Sequence, residues 1–352
     1  MSPEVRPLAE LIDVLRSPHV FEDLVIGGSQ PLVVVDASGA HLDEGQAQAL
    51  RALPLPTVAV SEDPPAAAHT GLAAFDVLLV DAAGSAHGTN GWVEPPDGVD
   101  AALDRLADRI AGAPLASATL VQLLRISADL DVVGGLVAES LAYSALQGGA
   151  EFGDWLASNG PFPAPVKDPE PLSAERRGAV LEITFTRPGI HNAFGFQTRD
   201  ALVEALQMAA ADPSVESIVI TGEGRSFCSG GDLREFGTSP GPAIAHRIRT
   251  SRSAGYWVHR LADRVSVHVH GACIGAGVEL AAFASRVEAS ADSFFELPEV
   301  GMGLVPGAGG TVSMPRRIGR HRTAWLALTG ERLDAASALR WGLVDRIVDG
   351  KP

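Results

Sequence analysis

The chain has 352 residues, which allows one large domain or two of medium size. Hydrophobic residues make up 46% and charged residues 20% of the sequence, a composition typical of globular proteins and unlike that of disordered chains. The formal net charge of -16 argues against nucleic-acid binding and against a basic membrane-binding patch, because both need clustered cations.

The sequence also argues against a membrane span, a disulfide framework and a zinc site. No apolar run reaches the length of a transmembrane helix, and the N-terminal residues lack the pattern of a signal peptide. Cys228 and Cys273 are too few for a disulfide framework, and neither a cysteine pair nor an HExxH motif is present. We therefore expect a cytoplasmic protein without a metal and without membrane contact.

The first part of the chain, about residues 1–157, is predicted to begin as an α/β unit and to end in helices. Apolar runs predict buried strands and helical spacing predicts helices. The predicted strands are 31–37, 56–60 and 75–82, a short helix is predicted at 44–53, and three further helices begin at about 98, with the second near 115–128 and the third near 132–147.

A proline-rich polar segment at 158–178 predicts a linker to a second α/β part. In this second part, strands are predicted at 179–188, 217–222 and 264–271, and an amphipathic helix at 199–213. Because these strands lead into glycine-rich turns that open helices, we expect the chemistry at the strand ends.

Two glycine-rich turns carry the features of a site that stabilises negative charge. They are GEGRSFCSGGDLREF at 222–236, where Asp232 is expected to cap a short helix, and HGACIGAGVELAAFA at 270–284, where a helix is expected to begin near Ala276. Two backbone N–H groups at helix starts would form an oxyanion hole if they converged, and small residues would let a thioester carbonyl approach. Taken singly, each turn is also explained as an ordinary glycine loop.

Two glutamates near these turns are candidates for acid–base chemistry. Glu279 lies in the first turn of the helix expected from Ala276, and Glu299 follows Pro298 in a mostly apolar segment. Burial disfavours the charged form of a carboxyl group, so Glu299 is a candidate proton donor. An acid and a base flanking one substrate suit water addition or proton shuttling. Taken singly, Glu279 is also explained as a helix-start charge and Glu299 as a loop acid.

Five segments of the second part, in this order, resemble the crotonase superfamily, also called the enoyl-CoA hydratase/isomerase family. They are RPGIHNAF (187–194), SFCSGGDLREF (226–236), HGACIGAGVELA (270–281), LPEVGMGLVPGAGGT (297–311) and LTGERLDAASALRWGLVDRIV (328–348). The resemblance covers roughly residues 176–350. It implies an α/β protein with a crotonase-like ββα spiral core in residues 179–352, without the usual C-terminal helices.

The resemblance also implies roles for individual residues. The amides of Gly231 and Ala276 would hold the thioester oxygen, and Glu279 and Glu299 align with the two catalytic glutamates of family hydratases. Ala276 departs from the glycine usual at its position, which keeps the amide donor and narrows the pocket. The implied substrate-binding positions are His191, Asn192, Ala193, Ser229, Gly230, Asp232, Leu233, Gly275 and Gly307. Three arginines lie beside the matching motifs and are candidates for contacts with the CoA phosphates: Arg187, Arg225 and Arg234.

The resemblance implies that coenzyme A enters as part of an acyl-CoA thioester substrate, so no separate cofactor is expected. It also implies a homo-oligomer, a trimer or a hexamer. No catalytic task is assigned to His191, His268 or His270.

The first part, 1–157, is interpreted as a degenerate copy of the same fold. Residues 126–156 resemble the C-terminal helical region of family members, which leads to the hypothesis that helices 98–157 replace the missing C-terminal cap. The alternative is an unrelated α/β accessory domain.

The function expected from this combination is enoyl-CoA hydratase, a lyase that adds water across the C2=C3 bond of a 2-trans-enoyl-CoA. Other reactions of the family remain alternatives: isomerase, decarboxylase, thioester hydrolase or cofactor-free dioxygenase. A weakly catalytic acyl-CoA-binding scaffold is the alternative from a different class.

Overall fold

The computed structural model describes residues 3–39, 41–62, 71–81, 91–164, 170–348 and 350. In the first part of the chain, five strands form a parallel sheet in the order β1-β2-β3-β4-β5. The strands are β1 (Val5–Pro7), β2 (Val33–Asp36), β3 (Thr57–Ser61), β4 (Val77–Val80) and β5 (Trp92–Val93), and the helices between them are α1 (Leu8–Leu15), α2 (Val20–Asp23) and α3 (Glu44–Arg51).

The strands predicted at 31–37, 56–60 and 75–82 and the helix predicted at 44–53 are confirmed by β2, β3, β4 and α3. All four residues of β4 are buried. A strand covered on both faces has no polar side, which explains why its sequence is an unbroken apolar run.

Four consecutive helices follow this sheet. They are α4 (Val99–Gly112), α5 (Pro114–Ser127), α6 (Val132–Gln147) and α7 (Ala150–Asn159), and the first three confirm the helices predicted from about residue 98. Pro114 suits the first position of α5, because a residue there needs no N–H for an intrahelical bond.

The segment predicted as a linker, 158–178, differs from the prediction at its C-terminal end. Strand β6 (Leu172–Arg177) pairs antiparallel with β7 (Val180–Phe185) over its whole length. It lies at the edge of its sheet and carries exposed charges, so its sequence lacks the apolar pattern of a buried strand. Residues 165–169 of the predicted linker lie outside the described residues.

The second part of the chain is built on a six-stranded sheet in the order β14-β11-β9-β8-β7-β6, parallel except for the β6–β7 pair. A small sheet, β10-β12-β13, lies beside it. The further strands are β8 (Ser217–Gly222), β9 (Val265–Val269), β10 (Ala272–Ile274), β11 (Arg286–Ser290), β12 (Phe294–Glu296), β13 (Leu333–Asp334) and β14 (Arg346–Val348), and the helices are α8 (Phe196–Ala211), α9 (Pro242–Ser251), α10 (Ala254–Arg260), α11 (Ala276–Ala281), α12 (Gly310–Ile318), α13 (Arg320–Thr329) and α14 (Ala335–Trp341).

One hydrophobic core extends through both parts, and a second one lies within the first part alone. Buried residues of α4 and α5, such as Leu106 and Leu124, belong to the same cluster as Val267 of β9 and Trp325 of α13. A buried ionic contact also joins them, because Arg125 and Arg320 both donate hydrogen bonds to the carboxylate of Asp76. The helical end of the first part is therefore packed into the same structure as the second part.

Among the described helices, none is by itself long and apolar enough to cross a membrane. Helices α4 and α5 meet that measure only as a pair, and the pair is bent by 108°.

Candidate active site

A cavity of about 280 Å³ opens where the two glycine-rich turns meet helices from both parts of the chain. Five residues predicted for the site line it: Gly231, Ala276, Glu279, Glu299 and Gly307. The structure thus brings both turns and both predicted glutamates to one cavity, although they come from separate elements.

The two turns are held together by backbone hydrogen bonds between Cys228 and the strand β10. The Cys228 N–H donates to the Ala272 carbonyl oxygen over 3.1 Å, and the Ile274 N–H donates to the Cys228 carbonyl oxygen over 3.0 Å. The amides of Gly231 and Ala276 donate to no other described residue. Gly231 and Ala276 thus line the cavity with amides that have no acceptor among the described residues.

Glu279 is placed by the first turn of α11 and is 2% exposed. Its Oε2 accepts hydrogen bonds from the amides of Ala308, at 2.7 Å, and Gly310, at 2.8 Å. Burial raises the pKa of Glu279 to about 7, against the lowering effect of these backbone donors. Near neutral pH this carboxyl group therefore exchanges between its protonated and ionised forms.

Glu299 begins a short 3₁₀ turn, Glu299–Met302, directly after Pro298. The residue faces the cavity, but its Oε2 is shielded from solvent and makes no hydrogen bond with a described residue. Burial, and after it the negative charge of Glu279, raise the pKa of Glu299 well above its ordinary value. Glu279 and Glu299 thus bring two buried carboxyl groups with raised pKa values to the same cavity.

Gly275 and Gly307 need to be glycines, because a Cβ atom at either position would clash with a neighbouring side chain. A Cβ at Gly275, whose φ is +48°, would overlap the carboxylate of Glu299. A Cβ at Gly307 would lie 2.5 Å from the ring of Tyr143. Glycine at these positions avoids a clash with Glu299 in one case and with Tyr143 in the other.

Gly307 is the one member of the predicted substrate-binding set that lines the cavity. The structure places the others in the surrounding loops, outside that lining: His191, Asn192, Ala193, Ser229, Gly230, Asp232, Leu233 and Gly275. Their contact with a substrate remains a prediction.

Asn192 shows what one of these loop residues does in the fold. Its Oδ1 accepts from the Arg187 N–H, and its Nδ2 donates to the carbonyl oxygens of Glu223 and Ser226, each over 2.9 Å. The side chain is 2% exposed, so it joins two loops in the interior.

The three candidate phosphate-binding arginines differ in accessibility. Arg187 is 8% exposed and lies 3.6 Å from the carboxylate of Asp232, and Arg234 forms an ion pair of 2.5 Å with the same carboxylate. Arg225 is exposed. Asp232 also caps the short helix Leu233–Glu235, as expected. Of the three arginines, Arg225 is therefore the most accessible to a phosphate group.

The cavity residues that sequence reasoning missed include Glu139 and Tyr143 of α6 and Arg249 of α9. The Arg249 guanidinium lies 4.4 Å from the Tyr143 ring centre, a cation–π distance. Glu139 is 2% exposed and accepts hydrogen bonds from Gly309 and Thr311. One signal was available in the sequence, because Glu139 is the sole charged residue of the apolar helix Val132–Gln147.

Within the described ranges, no group of three or more His, Cys, Asp or Glu side chains is arranged to hold a metal ion.

Comparison with known proteins identifies a family model and similar enzymes. The family model described as enoyl-CoA hydratase/isomerase matches residues 175–351. The 1,2-epoxyphenylacetyl-CoA isomerase of Escherichia coli K12 is 35% identical over 182 residues, which cover 51% of this chain and 69% of that enzyme. The 2,3-dehydroadipyl-CoA hydratase of the same organism is 34% identical over 178 residues, which cover 50% and 68%.

Among solved structures, an enoyl-CoA hydratase from Thermoplasma volcanium GSS1 matches with a TM-score of 0.47 and 34% identity, over 51% of this chain and 72% of that one. The family match covers both glycine-rich turns and both predicted glutamates, whereas Glu139 and Tyr143 of the cavity lie outside it. The chain belongs to the enoyl-CoA hydratase/isomerase family.

Proposed function

We propose that this chain is an enoyl-CoA hydratase that adds water across the C2=C3 bond of a 2-trans-enoyl-CoA. The observation that carries the proposal is the pair of buried glutamates in one cavity with two backbone amides that have no acceptor among the described residues. The two relatives above, named for an isomerase and a hydratase of CoA thioesters, support the substrate class.

The first step uses the two amides. The thioester carbonyl oxygen accepts hydrogen bonds from the N–H groups of Gly231 and Ala276, which draws electron density from C3 towards that oxygen. One such preorganised donor is worth about 3–4 kcal/mol in comparable sites. The donors stabilise the enolate more than the neutral thioester, so they lower the barrier to attack.

The second step uses the two glutamates. The ionised Glu279 takes a proton from a water molecule as the water oxygen bonds to C3, and the C2=C3 electron pair moves into the enolate. The protonated Glu299 then delivers its proton to C2, which returns the enolate electrons to the thioester. In the dehydration direction the two residues exchange these duties. Positioned acid–base groups of this kind accelerate reactions by about 10²–10⁴-fold.

The CoA phosphates of the substrate are assigned to an arginine by its accessibility. We infer that the exposed Arg225 meets a CoA phosphate, since Arg187 is buried and Arg234 is paired with Asp232. Assembly into a trimer or hexamer stays a prediction from the family.

The test is a screen of crotonyl-CoA and of longer or ring-bearing enoyl-CoAs, which follows the loss of the conjugated thioester absorbance. Glu279→Gln and Glu299→Gln should each lower turnover at least about 100-fold. Turnover that survives both substitutions would remove the two-glutamate mechanism. An inactive wild-type protein that still binds acyl-CoA would favour the scaffold alternative.

A further inference from the structure

The loop at residues 306–311 is held from two sides by two buried glutamates, Glu139 and Glu279. The amides of Ala308 and Gly310 donate to Glu279, whereas the amides of Gly309 and Thr311 donate to Glu139, over 2.7 and 2.9 Å. Successive amides therefore point alternately at the two carboxyl groups.

This loop is also the N-terminus of helix α12, which begins at Gly310. The first amides of a helix have no intrahelical acceptor, and a carboxylate is the acceptor that the helix dipole favours. Here the acceptors come from two other helices, α6 and α11, so the helix start joins Glu139 to Glu279.

Glu139 itself is poorly explained as a packing residue. It is 2% exposed, it forms no ion pair with a described cation, and its described hydrogen-bond partners are all donors: two amides and the Thr311 Oγ1, at 2.7 Å. An isolated buried carboxyl group is costly, and an apolar side chain of similar size would fit a helix core better. Its contacts instead fix both of its oxygens to the loop whose other amides donate to Glu279.

We propose that Glu139 is a positioning residue for Glu279: it fixes the amides of Gly309 and Thr311, and thereby aims those of Ala308 and Gly310 at the base. The inference rests on the proposed function for Glu279. It makes α6, a helix of the first part of the chain, a component of the hydration site.

The charged and titratable groups that face Glu139 are Glu279, Glu299, Tyr143 and Arg249. Burial and the neighbouring Glu279 raise the pKa of Glu139 to about 8. Above that pH its charge strengthens the hydrogen bonds that it accepts and makes Glu279 a stronger base. The contribution of Glu139 to the rate therefore grows as the pH rises.

The test compares Glu139→Gln and Thr311→Val with the matched control Glu151→Gln. Glu151, in α7, accepts from the amides of Leu115 and Ala116 and lies outside the cavity lining, so its substitution removes a similar carboxylate from a different helix start. The first measurement is the rate of crotonyl-CoA hydration from about pH 7 to about pH 9, a range that brackets the Glu139 pKa of about 8. The other two are urea unfolding and hydrogen–deuterium exchange of the peptide that covers the loop.

We expect Glu139→Gln to lower kcat about 10- to 100-fold with KM nearly unchanged, as for a slightly misplaced catalytic group. The loss of kcat relative to wild type should be larger at about pH 9 than at about pH 7. Thr311→Val should give a smaller loss, and the double variant should be little worse than Glu139→Gln, because both act through one contact. Glu151→Gln should retain the wild-type kcat.

Hydrogen–deuterium exchange of the loop distinguishes failure of the positioning role of Glu139 from failure of the proposed hydratase function. Faster exchange of the loop in Glu139→Gln, and not in Glu151→Gln, is expected whether or not crotonyl-CoA is turned over. If exchange and kcat both stay at wild-type values, or if the deficit is the same at every pH, the positioning role is overturned. If exchange rises but the wild-type protein hydrates no enoyl-CoA, Glu139 still fixes the loop and the proposed function fails.

Discussion

Replacing Glu279, the proposed base, by glutamine should stabilise the protein at neutral pH while it removes the proposed hydration activity. Glu279 is fully enclosed, and its pKa rises from the ordinary 4.5 to about 7. A carboxyl group whose pKa is higher in the folded than in the unfolded state stabilises the fold at low pH, and that contribution is lost as the pH rises to the folded-state value. Glutamine keeps an acceptor for the loop amides and does not titrate.

The size of this stabilisation follows from the ordinary pKa of Glu279 and its raised pKa in the folded protein. A rise from 4.5 to about 7 corresponds to about 3 kcal/mol, at about 1.4 kcal/mol for each tenfold change in the equilibrium. The stability of Glu279→Gln relative to wild type should therefore increase by about 3 kcal/mol between about pH 4.5 and about pH 7, and then level off.

The assay is urea unfolding followed by tryptophan fluorescence across this pH range. Val278→Ala is the control, because it truncates a neighbouring buried side chain without a titrating group and should destabilise equally at all pH values. A stability difference for Glu279→Gln that is independent of pH, or that favours wild type at pH 8, would refute the reasoning.

Three further predictions concern the site and its support. Hydration kcat/KM should fall as the pH drops below about 7, because protonation removes the base; a profile flat from about pH 6 to about pH 8 would contradict this. Gly275→Ala should lower kcat at least about 100-fold by displacing the Glu299 carboxylate, whereas Gly330→Ala, with a similar positive φ but open surroundings, should keep its activity. Deleting residues 1–157 should give an insoluble or inactive remainder, since α6 lines the cavity; a soluble, fully active one would show that the helices are dispensable.

Many strands and helices could be predicted because the spacing of their apolar residues follows their burial in the fold. In β9, Val265, Val267 and Val269 are buried and alternate with half-buried Ser266 and His268, as the period-two pattern predicts. The strand β6 could not be predicted in the same way, because an edge strand with charged side chains is locally indistinguishable from a polar linker.

The site was predictable where its residues lie in motifs and hidden where it depends on tertiary contacts. Gly231, Ala276, Glu279 and Glu299 follow from two turns and one loop acid, and they line one cavity. The partner of Glu139 lies 170 residues further along the chain, so a lone acid in an apolar helix carried no indication of what it meets.

The most direct test of the proposed hydration is isotope incorporation from water. Crotonyl-CoA is incubated with the protein in ¹⁸O-labelled ²H₂O, and the products are analysed by mass spectrometry. The mechanism predicts a 3-hydroxyacyl-CoA with one ¹⁸O at C3 and one deuterium at C2. A product with deuterium but no added oxygen, or a free acid with ¹⁸O in its carboxyl group, would contradict hydration and point instead to isomerisation or to thioester hydrolysis.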